Sequence, residues 1–122
     1  MGSDHGPDVP IRGAVLAARE LPSDTRLVLI GDAATIEKGL RSEGADASAF
    51  DIVPSVDDIT MHDNPTKALQ AKPRSSISIG FHLLKEGKLD AFASTGNTGA
   101  MLVGSIFSVK PIPGVIRPCI PT

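Results

Sequence analysis

The chain has 122 residues, which bounds it at one domain. Its formal charge is −2, from 12 Lys and Arg against 14 Asp and Glu, so it lacks the basic excess of a nucleic-acid binder. Aromatics are limited to Phe50, Phe81, Phe92 and Phe107, which argues against base-stacking platforms and Tyr-rich binding surfaces, while 41% apolar content suits a globular core.

Pro10 stands where a first helical turn tolerates proline, and Ile11, Ala14, Val15, Ala18 and Leu21 follow at helical spacing until Pro22 stops the run. Residues 26–30 form a short, nearly continuous apolar run closed by Gly31, the pattern of a strand in a parallel sheet. Asp32 predicts an N-cap, Ala33, Ile36 and Leu40 a helical stripe, and Gly44 a C-cap. Residues 50–53 read as a second strand, ended by Pro54. The polar stretch 55–74 holds one short helical piece around 66–71, and Ser75 or Ser76 then caps a helix carrying Ile77, Gly80, Phe81 and Leu84, closed by Lys85 and Gly87. Residues 89–94 predict a third strand. Residues 95–99 turn the chain into a helix from 100 to about 109, apolar all round and therefore expected to be buried. Residues 111–114 break it, and 115–120 read as the start of a fourth strand. The alternation predicts an α/β fold with a Rossmann-like open, mostly parallel sheet. The chain starts at a turn with no strand leading into it and stops where a strand begins, so the sheet is expected to be incomplete at both ends.

Cys119 is the single cysteine, so no internal disulfide and no multi-Cys metal site is expected, and its apolar surroundings predict a buried, inert thiol. No run approaches the ~20 apolar residues of a membrane span. The opening MGSDHGPDVP lacks the charged and apolar regions of a signal peptide, which leaves a cytoplasmic setting as the expectation.

The strongest chemical signal is Ser94-Thr95-Gly96-Asn97-Thr98-Gly99-Ala100, at the carboxyl end of a predicted strand and the start of a helix. Ligands of open α/β sheets bind on that edge, and free backbone N–H groups there favour an anion. Gly96 and Gly99 permit close approach, and Asn97 or Thr98 can donate a hydrogen bond. The plain alternative is a strand–helix turn capped by Asn or Thr. The segment is neither a dinucleotide fingerprint nor a P-loop. Asp4 and His5, bracketed by glycines, form a second candidate beside the simpler reading of a flexible terminus. Asp57, Asp58, His62 and Asp63 invite a metal, but their spacing matches no standard ligand frame, and a solvated acidic loop is the alternative. Lys67 follows the helix-start signal Asp63-Asn64-Pro65. His82 falls mid-helix, where a partly buried structural role is expected. Arg117 reads as a surface ion-pair partner, or as an anion clamp if it reaches the Gly96–Gly99 edge.

Five segments, in family order, resemble the bacterial phosphate acyltransferases of phospholipid synthesis, the PlsX family: MGSDHGP (1–7), LVLIGD (27–32), MHDNPTKAL (61–69), SSISIGFHLLKEGKLDAFASTGNTGAMLVGS (75–105) and PGVIRPCIPT (113–122). Family members are much longer, so the resemblance implies that residues 1–122 are the amino-terminal part of a single phosphate acyltransferase domain. It implies a sheet similar to the isocitrate/isopropylmalate dehydrogenase-like fold. The implied reaction passes a fatty acyl group from acyl-[acyl carrier protein] to inorganic phosphate, with no metal and no organic cofactor. The acyl phosphate then goes to a membrane glycerol-3-phosphate acyltransferase of the PlsY type. A cytosolic homodimer touching the membrane peripherally is implied as well, with no nucleic-acid partner.

Joined to that chemistry, the residue reading assigns phosphate or oxyanion contact to Gly96, Asn97, Thr98 and Gly99. Asp4 and His5 are assigned polar contacts on the same edge, with His5 as the proton carrier, and Lys67 and Arg117 electrostatic support. Two other readings stand beside it: a phosphotransacetylase-like enzyme using acyl-coenzyme A, and a non-catalytic anion-binding or assembly fragment.

Overall fold

In the computed structural model, which describes residues 6–120, the two apolar runs become a parallel pair of strands. β1 is Leu27–Gly31 and β2 is Phe50–Pro54, in register from Leu27 opposite Phe50 to Gly31 opposite Pro54. Side chains alternate across a strand, so Leu27, Leu29, Phe50 and Ile52 share one face. Ile11 and Val15 of α1 (Asp8–Glu20) and Ile36 and Leu40 of α2 (Ala33–Ser42) join the same core. Helix α2 is the crossover that a parallel connection requires. The molecule is thus α/β with a small open parallel sheet, as the alternation of signals led us to expect.

The predicted caps form. The Asp32 carboxylate accepts from the Thr35 amide at 2.8 Å, and Ser75 Oγ accepts from the Ser78 amide at 3.3 Å. Gly44, after α2, and Gly87, after the helix Ser76–Lys85, have φ of +67° and +70°, the left-handed conformation in which glycine carries no Cβ penalty. Helix α1 begins three residues ahead of Ile11, because Asp8 and Pro10 both suit a first turn.

A second core lies among three further helices: α3 (Pro65–Ala71), α4 (Ser76–Lys85) and α5 (Thr98–Gly104). Ile59, Ala68, Ile77, Phe81 and Ala100 are buried together, with Phe92 and Met101 packed against them. Phe92 meets Phe81 edge to face, ring centroids 5.2 Å apart. It also lies over Gly80, where a Cβ would overlap its ring.

Five expectations are corrected. Residues 89–94 form no ladder: no described strand is hydrogen-bonded to them, and Phe92 packs into the second core. Residues 115–120 are irregular, and every described strand belongs to the β1–β2 pair. The helix expected to be buried all round changes at Ser105 into a π-helical turn (Ser105–Val109). It buries Ala100 and Gly104 while Phe107 is 73% exposed, so its apolar outer face is uncovered. Cys119 is exposed rather than buried, and His82 lies exposed on α4 with Nε2 3.3 Å from Glu86 Oε1.

Two glycines of opposite surroundings test the second core. Gly80→Ala is expected to lower unfolding stability by about 1–3 kcal/mol, since the Phe92 ring must shift. Gly13→Ala, on the open face of α1, is expected to raise it by about 0.5–1 kcal/mol through helix propensity. Urea midpoints of the two variants check both signs.

Candidate functional site

The site region is built where two helices start. At α3, the Asn64 side chain accepts from the Lys67 amide at 3.1 Å, and Pro65 fills the first helical position, where its missing N–H is not needed. Lys67 therefore stands exposed in the first turn. At α5, Asn97 Oδ1 accepts from the Ala100 amide at 2.9 Å. The starts of α3 and α5 abut: a Cβ at Gly99 would come 2.5 Å from Pro65 Cγ. Gly99 is thus accounted for by helix packing.

Asn97 is 5% exposed and does more than cap. Its Nδ2 donates to the Thr60 carbonyl at 2.9 Å and to the Asp63 carbonyl at 3.1 Å. Both amide protons and the carbonyl oxygen are engaged inside the fold, so what this side chain gives the turn is position. The stretch 57–67 and the turn 96–99, read separately in the sequence, meet through this one residue. Thr98 is exposed beside it, and the Gly96 amide donates to Ser94 Oγ at 3.1 Å.

The loop that receives Asn97 is itself clamped. Asp63 Oδ2 accepts from Lys72 Nζ at 2.7 Å, from the Thr60 amide at 2.7 Å and from Thr60 Oγ1 at 3.1 Å. Lys72 Nζ also donates to the Asp58 carbonyl at 2.7 Å. The Lys72 ammonium first, and the Thr60 amide next, hold the Asp63 carboxyl below the ordinary carboxylate range. Asp57 is engaged elsewhere, accepting from the Arg74 amide at 3.3 Å. Among the described residues no three His, Cys, Asp or Glu side chains gather as a metal site.

Gly96, Asn97, Thr98, Gly99 and Lys67 therefore share one region. Arg117 is exposed and makes no ion pair with another described residue, while its neighbour Pro118 lines a cavity with Phe81, Met101 and Val109 toward the other end of α5. Asp4 and His5 lie outside the described residues. Lys72 and Thr60 escaped the sequence reading. The Asn–X–X cap spacing at both helix starts was a visible signal, whereas a lysine whose partner lies nine residues back, across a helix, leaves no local mark.

The depressed Asp63 pKa fixes a pH dependence. A carboxyl with a folded pKa below its unfolded value (about 4) contributes stability fully above that unfolded value and loses it as pH falls through the folded one. Wild type should therefore exceed Asp63→Asn in urea midpoint by a constant margin from neutral pH down to about 5, and the margin should close below about 4. A pH series of denaturation curves reads this directly.

Comparison with known proteins follows the same lines. A family model described as "Fatty acid synthesis protein" matches residues 1–122. The phosphate acyltransferase of Clostridioides difficile (strain 630) is 40% identical over 120 residues, covering 98% of this chain and 35% of its own. That of Acetivibrio thermocellus is also 40% identical over 120 residues, with 98% and 35% covered. That of Caldicellulosiruptor bescii is 37% identical over 122 residues, covering 100% of this chain and 36% of its own. The chain thus spans about a third of the length of the curated relatives it matches. With its motifs in family order and the match running from the first residue to the last, the chain belongs to the fatty acid synthesis protein family, the PlsX family that its segments resemble.

Proposed function

We propose that the protein transfers a fatty acyl group from acyl-[acyl carrier protein] to inorganic phosphate, giving an acyl phosphate for phospholipid synthesis. The observation that carries this reading is the family match over residues 1–122, among relatives named phosphate acyltransferase. On this reading the chain is the amino-terminal part of one phosphate acyltransferase domain, with a sheet of the isocitrate/isopropylmalate dehydrogenase-like kind. The protein works in the cytoplasm as a homodimer that touches the membrane peripherally. It passes its product to a PlsY-type glycerol-3-phosphate acyltransferase, and it needs no cofactor.

A phosphate oxygen attacks the thioester carbonyl carbon, the C–S bond breaks, and the proton that phosphate gives up goes to the departing thiolate. The barrier falls chiefly by holding two reactants together and by donors aimed at the developing oxyanion. Gly96, Thr98, Gly99 and the backbone of Asn97 take the phosphate or oxyanion contacts, with Lys67 as electrostatic support. The shared region of the two helix starts and the exposure of Thr98 and Lys67 support that assignment. Arg117, Asp4 and His5 are further proposed contacts for the reactants, with His5 carrying the proton.

The complete gene product is expected to form acyl phosphate from long-chain acyl carrier protein and phosphate, and a preference for acetyl-coenzyme A would reject the reading. Thr98→Ala and Lys67→Ala should each raise the KM for phosphate roughly tenfold or more, the size expected for a lost hydrogen bond to a charged group.

A further inference from the structure

Neither Lys72 nor Asp63 lies in the turn 96–99, yet both bear on it. Lys72 Nζ donates to the Asp58 carbonyl and to Asp63 Oδ2, both at 2.7 Å, and so closes the loop 58–63 from two sides. That loop supplies both acceptors of Asn97, the carbonyls of Thr60 and Asp63. Asn97 in turn holds the Ala100 amide through Oδ1 and the Met101 amide through its backbone carbonyl. An unbroken line of hydrogen bonds thus runs from one ammonium group to the first turn of α5.

We infer that Lys72 is a positioning residue for the turn 96–99: its ammonium fixes the loop whose two carbonyls orient Asn97, and through Asn97 the backbone of Thr98 and Gly99. The inference rests on the reading above in that the turn is what phosphate touches. The physical ground is the chemistry of the donor. An ammonium is a compact charge with three donors, able to serve a carbonyl and a carboxylate at once. Lys72 and Asp63 side chains are 32% and 28% exposed, so water competes for the pair only in part. Removing the ammonium frees the Asp58 carbonyl and leaves Asp63 holding Thr60 alone. The 60–63 turn keeps its own bonds, among them the Asp63 amide donating to the Thr60 carbonyl at 3.2 Å, but it loses its tie to the end of α3, so both acceptors of Asn97 shift together. A displacement of about 1 Å at a substrate-positioning element is enough to cost up to ~100-fold in rate.

The test uses the complete gene product and two readouts. In Lys72→Met, amide hydrogen exchange at Ala100 and Met101 should quicken roughly tenfold while Ile36, whose amide donates to the Asp32 carbonyl in the other core, keeps its rate. The KM for phosphate should rise roughly tenfold with the KM for the acyl donor held within about twofold. Lys72→Arg, which keeps the charge and several donors, should recover most of both effects, and Asp63→Asn serves if Lys72→Met fails to fold. Unchanged exchange at Ala100 and Met101 overturns the inference, as does an equal quickening at Ile36, which would mark a general loss of stability. A rise in both KM values together also overturns it. If the unaltered protein forms no acyl phosphate, the functional reading fails while the exchange experiment still decides whether Lys72 governs the turn.

Discussion

The side chain of Asn97 is the constraint on which this region depends. A buried amide that left any of its polar atoms unpaired would be expensive, and this one pairs all of them. In doing so it joins two parts of the chain 34 and 37 residues apart in sequence. The start of α5 cannot drift from the start of α3 without breaking those bonds. Gly99 against Pro65 adds a steric condition: the two helix starts touch so closely that no side chain fits between them. One polar and one steric requirement thus hold the same pair of segments together.

The two cores have different characters. The first is a parallel pair of strands covered by α1 and α2, and its apolar residues follow directly from the periods of strand and helix. Among the described residues the second has no sheet of its own and is assembled from helix faces, the loop residue Ile59 and the ring pair Phe81–Phe92. The chemistry assigned to the protein sits on the second core, where polar loops are fixed by side-chain hydrogen bonds.

How much of this could be read from the residues alone follows from locality. The caps at Asp32, Asn64 and Ser75 and the glycines at 44 and 87 were legible because each acts on its own few neighbours. Both strands of the parallel pair were legible because apolar runs closed by Gly31 and Pro54 have little else to become. Residues 89–94 and 115–120 were misread because a strand needs a partner, and local pattern does not say whether one is there. The candidate turn was found by its own composition, and so was Lys67. The clamp of Lys72 on Asp63 was not, because its meaning lies in tertiary closure of a loop. The exposure of Phe107 was missed for a related reason: an apolar helix signals a need for cover without saying what provides it.

Among the described residues, β1 and β2 pair only with each other, so the outer side of each carries backbone amides and carbonyls that no other described strand uses. Parallel neighbours can be added there one at a time, each taking its alignment from the strand already in place. The β1–β2 pair is thus a template for growth in either direction. The helix starts joined by Asn97 are secured by side-chain bonds of their own and not by the strand ladder.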